Sequence, residues 1–175
     1  CDDTPSGSGD PVIVPTIDLL GGGMQALSCE ALNRIVLPSG DYVQFFTILC
    51  DFEASLVQVE QTTLPGSVNV GTFDSAMTLS VQENGTALEL LPLGTTAKVA
   101  FEVPENSTDT YAILYWNESM NDGQGGWVEL SAGEVYEWSE GKEVYSGMQV
   151  YNNTNRVDNI VSIVVNFPGT FALVT

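Results

Sequence analysis

Histidine is absent from this chain of 175 residues. That removes Ser-His-Asp and Cys-His nucleophilic machinery, whose base is an imidazole, and it removes the commonest zinc ligand. The chemistry still open rests on carboxylates: 23 Asp and Glu stand against 4 Lys and Arg, for a formal net charge of -19. Glycosidase chemistry needs two carboxylates held across a cleft. Acids are spread along the whole chain, so no pair stands out, and an enzyme is not expected.

One loop carries oxygen ligands at a metal-binding spacing. In NESMNDGQGG, residues 117–126, and the strand after it, Glu118, Asp122, Gly123 and Glu129 fall on positions one, five, six and twelve of a calcium loop. Position three is Met120, a thioether that does not ligate calcium, and Glu129 falls inside a predicted strand. Calcium is therefore a candidate from an incomplete pattern, set against a plain solvated hairpin loop, and no other cofactor is expected. Asn-x-Ser/Thr occurs at Asn84, Asn106, Asn117 and Asn152, each in a predicted loop or turn and each a glycan acceptor in cells that modify this sequon. Trp116, Trp127, Trp138, Tyr136, Tyr145 and Tyr151 have the chemistry of an aromatic platform for sugars, or of side chains that close the ends of a core.

The charge restricts partners. A strongly acidic surface repels phosphate backbones and anionic lipid headgroups, so nucleic acid is not expected as a ligand. No apolar run approaches the roughly 20 residues of a membrane-spanning helix.

The cysteines divide as one plus two. Cys1 leads into CDDTPSGSGDP, acidic and rich in Gly, Ser and Pro. This start resembles a mature bacterial lipoprotein, in which a signal peptide is cut directly before a Cys that carries lipid. The resemblance implies lipid on Cys1, residues 1–10 as a flexible tether, and an extracytoplasmic, membrane-anchored setting at the cell surface or periplasmic face. Cys29 and Cys50 remain, in the strand-like runs ALSCEAL and FTILCDF. An even pair in an exported protein predicts a disulfide, worth about 3 kcal/mol for a loop of this size. The alternative is two buried thiols acting as small hydrophobes.

The elements that must position these residues read as strands. Residues 11–23 are apolar and β-branched, carry Pro11 and Pro15, and end in three glycines: an edge strand or an extended arm, because proline cannot donate to a ladder. Residues 24–175 read as the β-sandwich proper. LNRIVLP runs into a PSGD turn, and DYVQFFTILCDF is apolar enough for one strand buried on both faces. EASLVQVEQ alternates. TTLPGS is a turn and marks a candidate seam, at residues 62–72, between two small β halves. MTLSVQ and TALELL flank Glu83-Asn84-Gly85, which predicts a hairpin with a primed turn. AKVAFEVP places Val99, Phe101 and Val103 on one face. YAILYW, GGWVEL, GEVYEW, EVYSGMQVY, NIVSIVVNF and GTFALV complete about a dozen strands, and no helical period of 3.6 residues holds over a useful length. Regular short strands favour an all-β antiparallel sandwich over a barrel, which stays open.

LPSG, FDSAMTLSV, LPLGTTAKVAFEVP, YAILYWNE, GGWVEL and FALV together resemble ZU5-type and related extracellular β-sandwich modules over residues 31–175. The resemblance implies an immunoglobulin-like or ZU5-like sandwich, non-catalytic, used for display, adhesion or assembly. The YW and GGW pair also resembles the GAIN domain of adhesion receptors. That family's cleavage motif uses a His and its Trp strand is flanked by paired Cys; neither is present, so self-cleavage is not expected. The expected function is a lipid-anchored structural or adhesive module whose partners are the membrane, other surface proteins or copies of itself. The alternatives are a filament, surface-layer or membrane-complex subunit, assembled by adding residues 11–20 to a neighbour's sheet edge, and a carbohydrate-binding module.

Overall fold

A computed structural model describes residues 14–68, 70–118, 120–130, 135–136 (backbone alone) and 148–175. Cys1, the tether at 1–10, Pro11, Trp138, Tyr145 and the Tyr136 side chain lie outside the described residues. In chain order the strands are β1 (Thr16–Leu20), β2 (Gly22–Ala26), β3 (Leu32–Val36), β4 (Tyr42–Phe45), β5 (Phe52–Gln58), β6 (Phe73–Glu83), β7 (Thr86–Ala87), β8 (Ala97–Glu102), β9 (Ala112–Asn117), β10 (Gly126–Glu129), β11 (Val135–Tyr136), β12 (Met148–Gln149), β13 (Asn155–Val157), β14 (Ile160–Val165) and β15 (Gly169–Val174).

These strands build an all-β sandwich. Sheet A has the order β1-β3-β4-β8-β14-β13, and sheet B the order β10-β9-β15-β6-β5-β2, with β7 paired to β6. Strands β11 and β12 pair separately. Among the described residues all pairings are antiparallel but one: β1 runs parallel to β3, with Thr16 opposite Leu32. Alternation along each strand sends every second side chain inward. Ile35, Val43, Phe45, Phe101 and Ile163 of sheet A meet Leu56, Met77, Leu79, Ile113 and Phe171 of sheet B, each at most 1% exposed. Each sheet takes strands from both sides of residues 62–72, and one core joins them.

The first strand shows how local chemistry places the chain. Pro15 immediately precedes β1, where its missing N–H costs no ladder bond, and its carbonyl accepts from Leu32 N (2.9 Å). Residues 16–20 of the expected arm thus lie on their own sheet as an edge strand. At Gly21 the chain crosses from sheet A to sheet B; a Cβ there would collide with the Leu37 side chain and sit 3.0 Å from Leu56 O. Glycine lets the crossing lie that close to the core.

The apolar run DYVQFFTILCDF is not one strand. It breaks after Phe45 because residues 46–51 carry the chain from sheet A to sheet B, leaving Phe46 and Ile48 on the surface. Asp51, with φ 65°, turns the chain into β5, and its carbonyl accepts from Asn84 N. Cys29 and Cys50 are bonded, with Cα atoms 4.6 Å apart, but they lie in the loops before β3 and before β5 rather than in strands. Asn33, fully buried, shapes the first of these loops: its Oδ1 accepts from Ser28 N (2.9 Å) and its Nδ2 donates to Ser28 O (3.1 Å). The Asn84-Gly85 turn forms as read, with φ 49° and 83°, although its second strand is only Thr86–Ala87.

One buried acid joins the layers. Asp41 is 2% exposed; its carboxylate accepts from Ser75 Oγ of β6 (2.7 Å) and from Glu102 N of β8 (2.8 Å). A charged acceptor with such donors is worth about 1.5–3 kcal/mol per bond.

Candidate ligand groove

The outer face of sheet B is built from residues that alternate with the core. Thr78 and Ser80 sit between buried Met77, Leu79 and Val81, so their hydroxyls point away from the interior. Register then aligns a row across the sheet. Val57 lies opposite Thr78, Thr78 opposite Thr170, and the pairing of Phe171 with Tyr115 brings Trp116 alongside Thr170. The two threonine hydroxyls are 2.8 Å apart.

Half of this face carries a second apolar layer. Ala76, Leu114, Ala172 and Val174 pack against Val59, Leu64, Val68 and Trp127. Residues 59–68 form this lid, and a single 3-10 turn, Gln61–Thr63, bends them back over the sheet. Trp116 and Trp127 lie opposite one another in β9 and β10, edge to face at 5.2 Å. Trp127 Nε1 donates to Gly66 O (3.0 Å), and a Cβ at Gly66 would sit 2.6 Å from the Trp116 ring. The lid can therefore rest on the indole only through a glycine.

Beside the lid the face stays open as a groove of about 660 Å³. Thr78, Ser80 and Thr170 line it with hydroxyls, Trp116 and Val57 with apolar surface, and Glu89 and Glu118 with carboxylates. None of its described lining residues is a cation. Two cations of the other sheet are engaged on its own outer face. Arg34 donates twice to Asp18 (2.7 and 2.9 Å), its guanidinium lies 5.2 Å from the Tyr42 ring centre, and Lys98 approaches the same ring at 5.7 Å. The hydrogen bonds from Arg34 hold the Asp18 carboxyl below its ordinary range, and the same bonds raise Arg34.

Comparison with protein-family models, curated proteins and solved structures finds no match to this chain.

The residues singled out by sequence scatter over this frame. The calcium pattern does not assemble: Asn117 already pairs with Gly126, and Glu129 lies up the strand opposite Leu114, so the expected loop is the connection of a β9–β10 hairpin. Asn121 and Asp122 take left-handed conformations in it, with φ 54° and 56°. Among the described residues no group of three or more Asp, Glu or Cys is placed to hold a metal. Asn117 is itself fully buried in β9, not in a loop, so that sequon cannot carry a glycan in the folded chain. Asn84, Asn106 and Asn152 are exposed, and Asn152 Oδ1 accepts from Val164 N (2.8 Å). Of the described aromatics, Trp116 and Trp127 share the outer face of sheet B, while Tyr151 follows a bridge from Val150 to Val165 of sheet A. Among the described residues no helix is long and apolar enough to cross a membrane.

The groove hydroxyls went unread in the sequence. Their local signal is the polar half of FDSAMTLSV. Their partners come from β15, distant in sequence.

Proposed function

We propose that the chain is a non-catalytic, extracytoplasmic adhesion module that holds its partner on the outer face of sheet B. The observation that carries this reading is the open groove beside the lid, where a hydroxyl row meets an indole wall. The Cys29–Cys50 bridge supports an oxidising compartment, where such bonds persist. The absence of His anywhere in the chain supports a binding role over acid–base chemistry. On this reading the rigid sandwich fixes the groove, and the acidic surplus keeps anionic surfaces away from it.

Beads coated with the oxidised protein provide the test. They are expected to retain cell-envelope material of the source organism, and beads carrying Thr170→Trp, which fills the groove, are expected to lose it. Equal retention by both, with both melting as folded proteins, would end the reading. Intact mass of the native protein checks the compartment: the bridge appears as loss of two hydrogens, and the same spectrum reports whether Cys1 carries lipid.

A further inference from the structure

The chemistry of the groove narrows what it takes. Its floor is a short array of hydroxyls, which both donate and accept. The cross-strand row from Val57 to Trp116 spans three strand spacings, about 14 Å. That is room for a short linear ligand. Val57 is 46% exposed at one end and Trp116 walls the other, giving apolar surface at both ends of a polar strip. Glu89 and Glu118 accept hydrogen bonds and repel anions, and no described lining residue neutralises an anion. Phosphorylated, sulfated and uronic ligands are thereby disfavoured. A ligand that suits all of this has many hydroxyls, an apolar C–H face and no negative charge.

We infer that the groove binds a neutral oligosaccharide, with C–H surface against Val57 and Trp116 and hydroxyls on Thr78, Ser80, Thr170 and Glu118. This rests on the binding role proposed above and names its ligand class. Carboxylates accept sugar hydroxyls in charge-assisted bonds, the stronger kind. Threonine hydroxyls held by a sheet lose little freedom on binding, which favours affinity.

The test uses the oxidised, full-length protein with neutral hexasaccharides of glucose (β- and α-linked), of mannose and of N-acetylglucosamine as probes, each at millimolar concentration. Hexagalacturonate and spermine serve as charged probes. Backbone amide shifts at Thr78, Ser80 and Thr170, together with tryptophan fluorescence, report occupancy. At least one neutral hexasaccharide is expected to give saturable shifts, and hexagalacturonate none. Thr78→Val and Thr170→Val keep the branched strand shape and should each weaken binding about fivefold, the cost of one lost hydrogen bond. Glu118→Gln should weaken it by a similar factor without abolishing it. Saturable shifts with spermine alone, lost in Glu118→Gln, would make this a cation site and overturn the inference. No shifts with any of the neutral probes would overturn it as well. If the hexasaccharides fail while envelope retention still depends on the groove, the adhesion reading stands and only the ligand class falls.

Discussion

On the outer face of sheet A, the row Asp18, Arg34, Gln44 and Lys98 runs across four neighbouring strands, and both cations lie close to the Tyr42 ring centre, at 5.2 and 5.7 Å. On the outer face of sheet B, the corresponding row is Val57, Thr78, Thr170 and Trp116, and a loop of the chain lies across part of it. Both faces come from the same inward–outward alternation. Sheet A spends its outward positions on charges that neutralise one another. Sheet B puts Thr78 and Thr170 in the middle of its row, and these small side chains leave space beside the indole of Trp116. Two of the chain's few cations, Arg34 and Lys98, stand on the outer face of sheet A, and none of the described residues lining the groove on sheet B is a cation.

The comparison breaks most easily at the lid. Trp127→Ala removes an indole and its hydrogen bond to Gly66; we expect a loss of about 3–4 kcal/mol in denaturant unfolding, near the range for large aromatic truncations. A loss under about 1 kcal/mol would mean the lid is held by something else. Next comes the clip shared by both faces. Cys29→Ser with Cys50→Ser should cost about 3 kcal/mol, and probes on the two faces should melt together. Separate transitions would show that the sheets are not one cooperative unit. Gly66→Ala forces a methyl into the Trp116 ring and should cost about 2 kcal/mol, with part recovered when Trp116→Phe shortens the ring. Differential unfolding of the single and double variants measures the recovery.

Sheet A should respond least. Asp18 and Arg34 keep side-chain exposures of 53% and 37%, so Asp18→Asn should cost less than about 1 kcal/mol and less still in high salt. The sign with pH follows from the depressed carboxyl. The folded value lies below the ordinary 3.8, so the pair stabilises the fold above that value and its contribution is lost as pH falls below it. Wild type and Asp18→Asn should therefore converge in stability at the acid end. A gap that widens there would contradict the assignment.

Much of the strand content was legible because alternation and turn residues are local signals. The Asn84-Gly85 turn and the common face of Val99, Phe101 and Val103 follow from nearby residues, and the Cys29–Cys50 bridge from the count of cysteines. The failures are cases where tertiary placement overrides local pattern. DYVQFFTILCDF reads as one strand until it has to change sheets. NESMNDGQGG reads as a ligand loop until Asn117 and Gly126 pair. Asn33 and Asp41 are polar yet buried: Asn33 is satisfied by Ser28 of the loop just before it, and Asp41 by Ser75 and Glu102 on strands distant in sequence. The groove was the least legible part. It depends on bringing Thr78 and Thr170 together across 92 positions of sequence, which no window of residues displays.

Strand β15 lies between β6 and β9, so sheet B stays in two pieces until residues 169–174 arrive. A polypeptide made from its amino end cannot close this fold early, and the pairing it awaits is long-range, which slows the final step. The groove, whose floor needs Thr170, comes into being only once β15 has docked.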